Sequence, residues 1–499
     1  MMNAQTPKRE LAEGHKPGHK LKTGDEFKAT LDDGRALWVA GKRIANVFAD
    51  PALSAGVDLL ASMFDDQFDP AFADATTFID ETGAVASRSW QVPRTKEDLA
   101  DRRKMIEYTS LKTAGTFGRP PDLAPAIAVG LLAHLPTFKA KKSLIEGCSP
   151  DFAENIERYV AYGRDHNLTA SESLTGPQND RSSPKGAEAS LLKVTKVEPD
   201  GIRVSGAKTV GSVSAQANEI FFTNLGGIRE TPAEACIWAS VPINSDGIKL
   251  ISREMVSHPG ADPFDHPVAR LGEEADQLII FENVLVRKER IFNLGDPTAM
   301  SYYGPVCVFA HWHVLTRLAV KAELFVGAGQ LVLDVLGTSH IPAVQGMLGE
   351  IIQYAQTLRA FITAAEALAK PTDGEVMAPD VGMLTAGRLY SIEEYPRIIH
   401  ILQELCGQGL VMRFGKAAFD NPEIGHHLAE LLPGKGVSAA VKEQLMNFIW
   451  DMTSSSLAGR VALFENVNAS PAPRLRERLY NEVKRDAFIA QVKTLAGMP

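Results

Sequence analysis

The residues of this chain best suited to chemistry sit in a polar, turn-rich stretch, Leu168 to Arg181, and in the short strand-like segment that follows it, Val204-Ser-Gly-Ala-Lys208. Gln178, Asp180 and Arg181 carry donors, an acceptor and a charge within four positions, and Ser212 adds a hydroxyl just past the second segment. Between them, Leu191 to Val197 and Ile202 to Val210 flank Glu198-Pro-Asp-Gly201, which reads as a β-hairpin closed on a glycine able to take φ > 0. A β module set between helical regions places these residues where helices and sheet meet, and such junctions are common ligand sites. An ordinary surface hairpin fits the same pattern.

Other candidates are weaker when taken singly. His311 and His313 open a long helical run, but residues two apart on a helix point about 200° away from each other, so they cannot both face one metal or one ligand. Ser454, Ser455 and Ser456 fall inside an otherwise helical run from Val437 to Leu463. Serine is a poor former of helix interiors, so the triplet reads either as ligand contact or as a solvent-facing helix side. Cys148, Cys236, Cys307 and Cys406 are far apart and signal neither a zinc site nor a disulfide framework. No G-x-G-x-x-G follows a strand, and no phosphate-binding P-loop is present.

The elements that must position these residues fall into three parts. A chain of 499 residues with 45% hydrophobic content exceeds one core and predicts two or three domains. Residues 1–25 read as a mobile polar tail. Residues 26–160 read as mainly helical, with a capping signal at Thr95-Lys-Glu-Asp98, an apolar helix after Pro120-Pro121, and one strand pair turned at Gly41. From 161 to 295 the period shortens: Ala217 to Asn224, Ala235 to Pro242, Ile248 to Arg253 and Leu278 to Val286 are β-branched or aromatic-rich runs, predicting a β domain. From 296 to 499 helical stripes return, as at Val344, Met347, Leu348, Ile351 and Ala355, and predict an antiparallel bundle.

The net charge of −9 and the lack of a basic stripe beyond the first twenty-odd residues argue against a nucleic-acid partner. The longest apolar run, Ala124 to Leu135, is too short to span a bilayer, so a cytoplasmic chain with no membrane partner is expected.

In this order of parts, ten short motifs resemble the oxygenase component of the 4-hydroxyphenylacetate 3-monooxygenases and related two-component phenol hydroxylases. They are Asp33-Gly-Arg-Ala-Leu-Trp-Val39, Pro93-Arg-Thr-Lys-Glu-Asp-Leu99, Gly118-Arg-Pro-Pro-Asp122, Gly176-Pro-Gln-Asn-Asp-Arg181, Val204-Ser-Gly-Ala-Lys208, Gly247-Ile-Lys-Leu-Ile-Ser-Arg253, Asn283-Val-Leu285, Arg317-Leu-Ala-Val-Lys321, Asn421-Pro-Glu423, and Trp450-Asp451 leading to Gly459-Arg460. Each is weak, but ten in order are specific.

The resemblance implies an α+β, acyl-CoA dehydrogenase-like fold with an N-terminal helical domain, a middle β-barrel domain and a C-terminal helical bundle. It implies reduced FAD, supplied by a separate NAD(P)H:flavin reductase, forming a flavin hydroperoxide that hydroxylates a small phenolic or heteroaromatic substrate, and it implies a homotetramer. Gly176, Pro177, Gln178, Asp180 and Arg181 would lie along the flavin, with Ser212 approaching its ring and Ser454, Ser455, Ser456 and Leu457 contacting it. Arg119 matches the family's substrate-binding Arg, although a surface Arg paired with Asp122 fits the same residues. Leu123 stands where the family has a substrate-binding Tyr, and Glu172 where it has a substrate-binding His. Arg119, Glu172 and His313 would be the catalytic set. An acyl-CoA dehydrogenase-like or 4-hydroxybutyryl-CoA dehydratase-like flavoenzyme is the alternative.

Overall fold

The computed structural model describes residues 20–180, 182, 190–224, 231–468 and 470–499. Its elements follow the expected order of helices, sheet, then helices. In the N-terminal part, Thr95 caps the Lys96–Lys112 helix in a reciprocal box with Asp98, where the sequence placed its start. The Leu123–Ala133 helix begins right after Asp122 and is almost wholly buried. Residues 20–25, expected in the tail, are instead built in. Lys20 pairs with Asp80 and with Asp165 at 3.2 Å, and Thr23 caps the Gly24–Ala29 helix. The rest of that tail, residues 1–19, lies outside the described residues.

The strands are β1 Leu37–Val39, β2 Lys42–Ile44, β3 Thr77–Ile79, β4 Val85–Ser87, β5 Ala170–Ser173, β6 Lys193–Glu198, β7 Gly201–Lys208, β8 Glu219–Thr223, β9 Ile237–Pro242, β10 Ile248–Ser252, β11 Gln277–Arg287 and β12 Ile291–Leu294. Six form one sheet in the order β2-β1-β10-β11-β7-β6, and four form another in the order β12-β9-β8-β5. The expected barrel is thus made of two sheets. Phe222 of β8 meets Phe281 of β11 at a ring separation of 5.1 Å, one of the contacts that join them. The β1–β2 hairpin turns at Ala40 and Gly41, both with positive φ, as a two-residue hairpin requires. Although it comes from the N-terminal part, β1 runs parallel to β10, between it and the edge strand β2 of the larger sheet.

The β6–β7 hairpin forms as expected, but for a different reason at Gly201. Its φ is not positive; a side chain there would strike the Val286 carbonyl of β11, so the glycine serves a close strand approach.

The C-terminal part is organised on the Val308–Leu336 helix, about 44 Å long at 1.5 Å per residue. Residues 308–322 are all buried, so this half is surrounded; further on, burial narrows to Phe325, Ala328, Gly329, Val332, Leu333 and Val335. The Pro342–Ala367 and Val381–Cys406 helices pack beside it. The run from Val437 to Leu463, read as a single helix, is in fact broken into Ala439–Thr453 and Ser456–Asn468, and the chain beyond it forms two further helices, Ala472–Glu482 and Asp486–Ala496. That break falls within the serine triplet. Ser455 leaves the helical path and its Oγ accepts from Ala458 N at 3.1 Å, capping the next helix.

Candidate active site

The turn at Gly118–Asp122 lies between two helices and is held from below. Asp122, fully buried, accepts from Arg102 at 2.5 Å and meets His313 Nδ1 at 3.0 Å. Burial pushes the His313 pKa down and Asp122 partly offsets this. His311, on the other side of the same helix, faces the ring of Tyr303 and the guanidinium of Arg388, and burial drives its pKa well below the usual range. The two histidines therefore face different partners, as their spacing requires.

Arg119 itself is 6% exposed, and its partner is not Asp122 but Glu172. Glu172 comes from β5, at the edge of the four-stranded sheet, so the ion pair ties the helical turn to the β domain. One Glu172 oxygen, Oε2, is buried with no hydrogen-bond partner. Tyr303 and Cys307 lie beside Arg119; burial raises the Cys307 thiol to about 11 even with that guanidinium near. They reach this position because Gly130 lets the Leu123–Ala133 helix touch the Val306 carbonyl, where any side chain would collide. Leu123 begins that helix and is 4% exposed.

A second set of contacts extends from the same turn. Gly118 N donates to Glu274 Oε2 at 2.8 Å, and Glu274 Oε1 accepts from Arg460 Nη1 at 2.9 Å. Arg460 also grips Asp276 through two bonds of 2.6 and 2.9 Å, and Ser212 Oγ donates to Asp276 Oδ1 at 2.6 Å. Burial raises the pKa of Glu274 beyond what Arg460 offsets, while for Asp276 the two guanidiniums of Arg460 and Arg253 outweigh burial and lower it. Arg460 lies on the Ser456–Asn468 helix, so one chain of charged hydrogen bonds joins Ser212, the C-terminal helix and the Arg119 turn.

The Gly176–Asp180 stretch is tied to this region from the far side. Thr209 N donates to Thr175 O at 2.9 Å and Thr209 Oγ1 to Gly176 O at 3.2 Å. Gly176, Gln178 and Asp180 are exposed, Pro177 is half-buried, and open space surrounds the Gly176 α-carbon where a side chain would be. Asp180 accepts from Ser182 N and Oγ, and Arg181 lies outside the described residues. Among the serines, Ser454 Oγ meets Gln403 Nε2 at 3.2 Å, Ser456 is exposed, and Leu457 is core. Asp451, fully buried, accepts from Val268 N and Ala269 N at 3.0 and 2.8 Å and fastens these helices to the β domain.

The profile of the 4-hydroxyphenylacetate 3-hydroxylase N-terminal region matches residues 23–293, and that of the C-terminal region matches residues 299–497. The chain belongs to the 4-hydroxyphenylacetate 3-hydroxylase family. Among relatives of this hydroxylase, the oxygenase component of a 4-nitrophenol 4-monooxygenase/4-nitrocatechol 2-monooxygenase from Rhodococcus opacus is 30% identical over 455 residues, 90% of this chain and 86% of that one. A crystal structure of a 4-hydroxyphenylacetate 3-monooxygenase oxygenase component, complexed with FAD and 4-hydroxyphenylacetate, superposes with a TM-score of 0.88 at 28% identity, covering 95% of this chain and 98% of that one. An archaeal 4-hydroxybutyryl-CoA dehydratase, at 17% identity and a TM-score of 0.85, shares the fold alone.

Within this hydroxylase framework, the candidate residues Arg119, Glu172, Gly176 and Ser212 come from three separate segments, Glu172 and Gly176 sharing one. Sequence reading did not single out Asp122, Glu274, Asp276 or Arg460 as site residues, although they hold the others. The run Glu273-Glu274-Ala-Asp276, three acids in four positions inside a β region, was the available signal.

Proposed function

We propose that the chain is the oxygenase component of a two-component monooxygenase that hydroxylates a phenolic or heteroaromatic ring, using reduced FAD delivered by a separate NAD(P)H:flavin reductase. The observation that carries this reading is the junction itself. The family's ring-binding Arg position and its flavin-side Ser position are joined by Gly118, Glu274, Arg460 and Asp276 across three parts of the chain.

The polar groups present suit a flavin. Gln178 offers an amide, Ser454 a hydroxyl and Ser212, whose hydrogen is given to Asp276, an acceptor oxygen, and the open space at Gly176 lets a flat ring approach backbone. Reduced FAD, when bound, supplies with dioxygen the oxygen atom and the electrons for hydroxylation. The residues of the chain do the rest. Gly176, Pro177, Gln178 and Asp180, with Arg181 by its place in the motif, would hold the flavin, together with Ser212, oriented by Asp276, and Ser454, Ser455, Ser456 and Leu457. Arg119 and Leu123 orient the substrate ring, and Glu172 accepts the hydrogen of its hydroxyl or N–H, which enriches the ring for attack. His313 is a positioning residue, because its Nδ1 is engaged by the Asp122 that supports the Arg119 turn. The buried walls around Arg119 exclude water.

We assign the chain to the cytoplasm in the role of aromatic catabolism and divide it near residues 160 and 295. We further propose a homotetramer, supported by the uncovered apolar face of the Asp486–Ala496 helix at Phe488, Ile489, Val492 and Leu495. Reduced FAD added anaerobically should bind, and admission of air with a phenol should yield a hydroxylated product. With oxidised FAD and NADH but no reductase, NADH should persist; its consumption by the purified chain would refute the two-component assignment.

A further inference from the structure

A buried guanidinium beside a ring-binding site ordinarily recruits an anion, either a carboxylate or a phenolate. In this chain that attraction is already answered from within. Glu172 closes on Arg119, and the pair is nearly sealed, with side-chain exposures of 12% and 6%. The other carboxylates near Arg119 are committed elsewhere, Asp122 to Arg102 and His313, and Glu274 to Arg460 and Gly118 N. The pair therefore presents a net charge of zero, together with one buried carboxylate oxygen, Glu172 Oε2, that has no donor. An unmet buried acceptor is costly, and a ligand that brings a donor to it removes that cost.

We propose that the Arg119–Glu172 pair makes this site selective for uncharged aromatic rings bearing a hydrogen-bond donor, a neutral phenol, ring N–H or arylamine, and against phenolates. The neutral hydroxyl donates to Glu172 Oε2 while its oxygen accepts from the guanidinium. A phenolate has no hydrogen to donate and meets the carboxylate as a like charge. Tyr303, Cys307, His311, His313 and Arg388 are further charged or titratable groups near Arg119, and Arg478 lies near Cys307, His311 and Arg388. Of these, Arg478 is paired with Glu482 at 3.3 Å. Selectivity is assigned to Glu172 because it is the carboxylate in direct contact with the Arg119 guanidinium.

This inference rests on the aromatic hydroxylase reading, and the test separates the two. The full chain loaded with reduced FAD under nitrogen is titrated by calorimetry, at mildly alkaline pH, with 4-methylphenol, which is neutral there, and with 4-nitrophenol, which is mostly phenolate. The wild type should bind the neutral phenol more tightly. In Glu172→Gln, and in Glu172→His should the first variant not fold, the preference should shift toward the phenolate by about tenfold or more, corresponding to about 1.4 kcal/mol. Tighter wild-type binding of the phenolate, or a ratio left within roughly twofold by the substitution, overturns the selectivity assignment and leaves the hydroxylase reading standing. If the wild type binds reduced FAD but neither phenol, the phenolic reading falls and this inference with it.

Discussion

Glu465 is the residue on which two buried cations depend. It takes Arg317 in two bonds of 2.6 Å and Lys321 in a third of 2.6 Å, and these partners hold its pKa at about 2 despite complete burial. Removing it leaves both cations uncompensated in the interior. Glu465→Ala should lower stability by about 3–5 kcal/mol, whereas a wholly apolar replacement of the cluster should cost far less; denaturant melts of both variants check this. Lys208 poses the opposite problem. It is fully buried, its amine meets the Asn224 side chain and the Leu174 carbonyl among the described residues, and burial depresses its pKa from 10.5 to about 7. Between those values the unfolded chain holds the proton more firmly than the folded one, so this group makes stability rise as pH increases from about 7 toward 10.5. Below that window its penalty is fully present. Lys208→Met should stabilise the protein most at the acidic end and flatten this slope, as urea melts at stepped pH would reveal.

At the scale of elements, the site depends on two joints. One is the close contact of the Leu123–Ala133 helix with Val306, possible because residue 130 is glycine. Gly130→Ala forces backbone apart and should destabilise by about 1–3 kcal/mol, with a larger loss in ring binding than in flavin binding, since Tyr303, Cys307 and Arg119 move together. The other is the break between the Ala439–Thr453 and Ser456–Asn468 helices, which aims Arg460 at Glu274 and Asp276. Ser455→Ala removes the cap at that break. It should cost about 1 kcal/mol and Ser455→Asp should restore it, which thermal unfolding can measure.

At the scale of the whole molecule, a run of exposed apolar side chains lies on the last helix. Phe488 and Leu495 are 59% and 90% exposed on one face of the last helix. A single subunit leaves that face in water, which the hydrophobic effect opposes. If copies of this chain cover it, Phe488→Glu with Leu495→Glu should shift sedimentation from tetramer to smaller species and leave the Arg119–Glu172 site intact. Unchanged sedimentation would remove this helix from the interface.

The sequence alone determined the order of helices and sheet, the capped start at Thr95, the hairpins at Gly41 and at Glu198–Gly201, and the family, because capping, turn chemistry and motif order are local properties of the chain. It also pointed to Arg119 and Glu172 as separate candidates for ligand contact. It left open that they pair with each other, that β1 joins the distal β10, that Ser455 ends one helix and starts another, and that Arg460 links Ser212 to the Arg119 turn. Those contacts join residues far apart in the chain. Tertiary packing chose among partners of equal local merit: Asp122 stands three residues from Arg119, yet burial between helices gave it to Arg102 and His313, and the edge strand brought Glu172 to Arg119 instead.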